Sequence, residues 1–204
     1  MLRLALLAVL PAGVFALGHD RAVVDGMTIE LRRYRASMPP AEVLARWPLE
    51  GTAGPERRSA GDWLVVSRLQ GRLQETLQAR PDGAGGSEVL LSRVDLRAPL
   101  AALVPPPFTL PAGSSVLRTI GFEEAAGRAT QFVISLPGRP GHALPILCAR
   151  LLERGWRPSG SRGCDGSLPT GPRWFLRGGE TLAVDLRVDG ARSRAVIGHV
   201  VPRP

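Results

Sequence analysis

The four tryptophans fall in two pairs of nearly equal spacing, Trp47 with Trp63 and Trp156 with Trp174. A spacing that recurs at long period marks a repeated unit, and it limits the chain to folds that each half can adopt in turn. Laying one half over the other extends the match. Thr28-Ile29-Glu30-Leu31 lies over Thr130-Gln131-Phe132-Val133, Thr76-Leu77 over Thr181-Leu182, and Asp82-Gly83-Ala84 over Asp189-Gly190-Ala191. Ser87 to Val94 then lies over Ser193 to Val200.

Each half reads as a strand, a helix and a three-stranded meander. In the second half, residues 129–136 make an apolar-rich strand that Pro137-Gly138-Arg139-Pro140-Gly141 ends. From about His142, Leu144, Leu147, Cys148, Leu151 and Leu152 recur at the spacing of one buried helix face. Pro145 sits in the first turn, where its missing N–H costs little, and Gly155 stops the helix. Strands follow at 173–179, 180–188 and 193–201. In the middle one, Leu182, Val184, Leu186 and Val188 alternate with Ala183, Asp185, Arg187 and Asp189, the period-two pattern of a sheet wet on one face. Asp189-Gly190 marks the hairpin into the last strand.

The first half repeats the plan with a strand at 27–36, a helix from Pro40 to Trp47, an Arg-rich loop at 51–61, and strands near 62–70, 72–80 and 87–96. A sheet with one apolar face needs a cover, and the helix supplies it. The expected fold class is therefore α+β: two tandem, internally duplicated strand-helix-three-strand units, each a small antiparallel sheet covered on one face by one helix. The tryptophans, standing at equivalent positions, read as core.

The domain plan has four parts: a signal peptide at 1–18, a first repeat at 19–96, a Pro-rich linker at 97–116 and a second repeat at 117–204. The linker holds Pro105-Pro106-Pro107 and Pro111-Ala112-Gly113, a composition that favours a stiff, extended spacer. The leader opens with Met1-Leu2-Arg3 and runs apolar from Leu4 to Leu17, broken by Pro11 and Gly13. That is the layout of a secretory signal, with cleavage expected after Ala16 or after Gly18. The run is short of the roughly 20 residues that a spanning helix needs, so no stable membrane span is expected after cleavage. A periplasmic or secreted location follows. In that oxidising compartment Cys148 and Cys164 are expected to form a structural disulfide that staples the following loop onto the helix.

The chain carries little recognisable chemistry. All 26 basic residues are arginine, which excludes Schiff-base and phosphate-loop lysines. The metalloprotease, Walker, dinucleotide and nucleophile-elbow motifs are missing. His19, His142 and His199 form no triad pattern with the scattered Ser and Asp residues. A copper site built on an N-terminal His19 with His142 or His199 has only residue type behind it. Glu123 with Glu124, and Asp185 with Asp189, fall on expected solvated faces. No catalytic residue, metal or cofactor is expected.

The remaining signal is a formal net charge of +8 with clustered arginines. Arg32, Arg33 and Arg35 lie on the first strand, Arg57 and Arg58 in the loop after the first helix, and Arg154 and Arg157 near the end of the second helix. These are the candidate binding residues, since guanidinium forks suit anionic polymers. Tyr34 is the only tyrosine, so no aromatic platform for base stacking accompanies them. The expectation is an exported, non-enzymatic adaptor or assembly component of a bacterial cell-envelope machine, docking onto an envelope protein. A module for an anionic polymer or nucleic acid is the alternative.

Overall fold

The structure, a computed structural model, describes residues 11–47, 56–124, 127–160, 164 and 171–203. In chain order the elements are β1 (Val14–Val24), β2 (Met27–Ala36), α1 (Pro40–Arg46), β3 (Glu56–Ala60), β4 (Trp63–Gln70), β5 (Leu73–Pro81) and β6 (Ser87–Asp95). They continue as β7 (Ser115–Glu124), β8 (Gly127–Leu136), α2 (Pro140–Glu153), β9 (Arg157–Pro158), β10 (Arg173–Arg177), β11 (Glu180–Asp189) and β12 (Arg192–Pro202).

The expected α+β class is overturned. Of the described residues 57% are strand and 12% helix, and twelve antiparallel strands are accompanied by only two helices. Segments expected to be irregular are strands: β1 runs out of the end of the leader, β3 occupies the Arg-rich loop, and β7 starts inside the Pro-rich stretch. The seven residues of α1 span about 10 Å, whereas six strands side by side span more than about 24 Å. One such helix shields only a fraction of a face.

Two compact units emerge, residues up to Arg21 with Thr28–Pro99, and Ala22–Met27 with Leu100–Pro204. The first has the strand order β3-β4-β5-β6-β2-β1. The second has β9-β10-β11-β12-β8-β7, with Ala22–Val24 paired to Gly121 and its neighbours on β7. The orders correspond element for element. A buried serine marks the correspondence: Ser87 donates to the Met38 carbonyl at 2.6 Å, and Ser193 donates to the Gly138 carbonyl at 2.7 Å. In register, Ser87 faces Ala36 and Ser193 faces Leu136. This places β2 over β8 two residues out of step with the overlay of Thr28 on Thr130. An even slip keeps every side chain on its own face, so the hydropathy pattern cannot detect it.

In the second unit, Phe132, Ile134, Phe175, Leu182, Val184, Ala195 and Ile197 project to one side of the sheet and meet Leu144, Leu147 and Leu151 of α2. The helix begins at Pro140, two residues before the expected start. It ends in a Schellman closure: the Trp156 N–H bonds the Leu151 carbonyl at 3.1 Å, and the Gly155 N–H bonds the Leu152 carbonyl at 2.9 Å. Gly155 has φ +79°, a conformation that favours glycine, and the closure drops Trp156 beside Leu151 in the core. Phe108 and Leu110, from the stretch expected as a spacer, join the same core. The Cys148–Cys164 disulfide ties the loop after α2 to its inward face, with a Cα–Cα distance of 5.7 Å.

The first unit gathers Val14, Tyr34, Ala36, Met38, Val43, Trp47, Leu77, Ala79, Val89 and Leu91. Tyr34 and Trp47 meet edge to face at 5.4 Å. Beyond these apolar residues the inward face turns ionic: the buried Glu75 carboxylate lies between Arg68 and Arg93 of the neighbouring strands.

Candidate functional site

On β10 the period-two alternation sends Arg173 and Phe175 inward and Trp174 and Leu176 outward. Trp174 is therefore 50% exposed, contrary to its expected place in the core. Trp47 and Trp156 are buried, and Trp63 is half-buried with Arg80 over its ring at 4.7 Å. Trp174 faces Ala183, Leu176 faces Thr181, Ala183 faces Gly198 and Thr181 faces Val200. The line continues from Gly198 to Gln131 and from Val200 to Ala129. Cross-strand partners share a face, so these residues form a strip on the side of the sheet turned away from α2. Leu176 and Val200 are 49% and 46% exposed. An outward sheet face is ordinarily polar, whereas this one exposes Trp174 and Leu176 on β10 and Val200 on β12, with Thr181 and Ala183 of β11 between them.

Beneath the end of α2 lies a second constellation. The His199 ring, buried on β12, meets the Glu180 carboxylate through Nε2 at 3.0 Å. Arg177 donates to the same carboxylate oxygen at 2.8 Å, and its guanidinium lies 4.4 Å from the centre of the Trp156 ring. Trp156 meets His199 edge to face at 5.6 Å. Arg177 also donates to the Pro107 and Arg154 carbonyls at 3.4 and 3.3 Å, and Trp156 donates to Pro107 through Nε1 at 3.4 Å. The donors of Arg177 are thus spent on tying the chain together. A shallow hollow of about 570 Å³ beside it is lined by Arg157, Leu176, the Gly178-Gly179 turn and Glu180.

Burial alone would raise the Glu180 pKa, but the hydrogen bonds from His199 and Arg177 outweigh it and hold the carboxyl below its usual 4.5. A depressed acid pKa contributes stability above its unfolded value, and that stability is lost as pH falls through the folded value. Glu180→Gln is expected to flatten the acid limb of unfolding. Urea midpoints measured from pH 6 to pH 3 should converge for the two proteins below about pH 4.5. A constant gap across that range would contradict the assignment.

The candidate arginines are divided between the two units, five in the first and two in the second. Arg33 pairs with Asp20 at 3.0 Å and Arg35 with Asp82 at 2.9 Å. Asp82 is held below the usual carboxylate range first by the Ala84 N–H, against burial, and then by Arg35 and the Gly86 N–H. Arg32 points to the opposite face of β2 from its two neighbours and lies across from Leu91. Arg57 and Arg58 stand on β3 opposite Val66 and Val65, with the Arg57 side chain outside the described residues. In the second unit Arg154 donates to Thr109 at 2.9 Å, and Arg157 is exposed on β9.

His19 is exposed on β1 and His142 is exposed in the first turn of α2, whereas His199 is buried near its last turn. Among the described residues, no three His, Cys, Asp or Glu side chains gather as a metal would need. Glu123 binds Arg128 at 3.2 Å, the Glu124 side chain lies outside the described residues, and Asp185 and Asp189 bind Arg187 and Arg194. No helix among the described residues is long and apolar enough to cross a membrane. No family model, curated protein or solved structure matches the chain.

Proposed function

We propose that this protein is an exported, non-enzymatic adaptor or assembly component of a bacterial cell-envelope machine, of the kind that serves secretion, pilus or outer-membrane assembly. It acts by docking a protein partner. The observation that supports this is the outward face on which Trp174 and Leu176 of β10 and Val200 of β12 stand exposed on either side of Thr181 and Ala183 of β11. A partner seated there buries aromatic and aliphatic surface, and a rigid tryptophan is the residue type that most often anchors an interface. The disulfide fits an oxidising compartment.

Crosslinking capture from the envelope fraction, at low and at high salt, tests the reading. A defined protein partner should survive high salt and be lost with Trp174→Ala, because an apolar contact is not screened. Capture of only a polyanion, released by salt and indifferent to Trp174→Ala, would replace the adaptor with an anionic-polymer module.

A further inference from the structure

At the N-terminal end of β1, one side chain is buried in the core of the first unit. Val14 is buried with Tyr34, Ala36 and Met38, whereas Phe15 and Leu17 are 62% and 63% exposed. The backbone before it is shaped for this placement. The Val14 N–H bonds the Pro11 carbonyl at 3.1 Å, closing a turn, and the Gly13 carbonyl accepts the Ser37 N–H at 3.0 Å. Gly13 has φ +82°, a left-handed conformation that favours glycine, and a Cβ there would stand 2.6 Å from the Ser37 Oγ and force that side chain to move. In the sheet order β1 is the neighbour of β2. These residues are also the end of the expected leader, and cleavage after Ala16 or Gly18 removes both Gly13 and Val14.

We propose that leader removal turns the end of β2 into a receptor for an extended strand donated by a partner protein, which takes the place of Gly13 to Gly18. The inference rests on the export reading. Once those residues leave, the Ser37 N–H loses its acceptor and the buried cluster that holds Tyr34, Ala36 and Met38 loses Val14, leaving a sheet edge with an apolar notch. Such an edge is a template for strand addition, where main-chain bonds supply affinity and the notch supplies selectivity. The departing segment defines the chemistry of the donor: a glycine followed by a β-branched apolar residue, in extended conformation. The remainder of β1, from His19, stays in place as a stop for the incoming strand.

The mass of the protein recovered from the periplasm or medium gives its N-terminus. A start at Leu17 or His19 is expected. An exported protein that retains Val14 overturns the strand-receptor proposal and leaves export standing, whereas a chain found unprocessed in the cytoplasm removes the export reading itself. Binding is then measured between the chain starting at His19 and a synthetic peptide of residues 11–18, by fluorescence anisotropy. Saturable binding is expected, at least tenfold weaker for the Val14→Asp peptide and undetectable with the full chain, whose site is filled. Equal binding of both peptides, or none, overturns the proposal. Full-length Val14→Asp provides a second route: faster amide exchange at Arg35–Ser37 and uptake of the wild-type peptide are expected. Loss of cooperative unfolding in both altered proteins would show that Gly13 to Gly18 is an indispensable part of the fold, and would also overturn the proposal.

Discussion

Trp156→Ala is expected to cost about 3–5 kcal/mol, the usual range for removing a large buried aromatic side chain. Trp156 is fully buried, and its ring is stacked under Arg177 and edged by His199. Its Nε1 binds the Pro107 carbonyl, so one truncation empties a core volume and removes one of the two side-chain hydrogen bonds, the other from Arg177, that hold Pro107. Losses should be cooperative rather than local, because Phe108 and Leu151 meet in that same core. Urea unfolding followed by circular dichroism would measure the shift. Trp174→Ala supplies the control: an exposed position typically changes stability by less than about 1 kcal/mol. Similar losses at Trp156 and Trp174 would refute the assignment of one ring to the core and the other to a contact surface.

Removing the Cys148–Cys164 bridge is expected to cost about 3 kcal/mol, the chain-entropy value for closing a loop of this length. The sequence separation is 16 residues, and the bridge binds a loop to the inward face of α2. Cys148 is 1% exposed, so Cys148→Ser would add a buried hydroxyl to the cost. Cys148→Ala with Cys164→Ala isolates the cross-link better. Unfolding midpoints of that double variant should match those of the native chain in excess dithiothreitol, and both should lie below the oxidised protein. Equal midpoints with and without reductant would mean that the bridge contributes nothing to the native state.

Several features were legible because they obey local rules. The alternation from Leu182 to Val188 placed β11, the spacing of Leu144, Leu147, Cys148 and Leu151 placed the inward face of α2, and Gly155 marked where that helix closes. Leu152, read on the same helix face, is 48% exposed, since it stands at the margin of the apolar stripe. The pairing of Cys148 with Cys164 followed from there being two cysteines in the chain. Each of these depends on residues within a turn or two of one another, or on simple counting.

The misread elements have one physical cause. Glu56-Arg57-Arg58-Ser59-Ala60 contains no large apolar residue, and β3 exists because β4 supplies its hydrogen-bond partners. Val14 to Gly18, read as the end of an apolar leader, also form the start of β1, a strand that their apolar run does not signal, since only Val14 among those five residues is buried. On β10, Trp174 and Leu176 alternate with Phe175, a pattern compatible with either face being inward. The sequence alone determined which stretches have two faces, where the α2 helix stops and which cysteines can pair. The tertiary structure decided which face is covered, which polar segments are recruited as strands and how the two overlays are registered. Periodicity reports that side chains alternate, whereas burial and ladder pairing depend on neighbours distant in sequence.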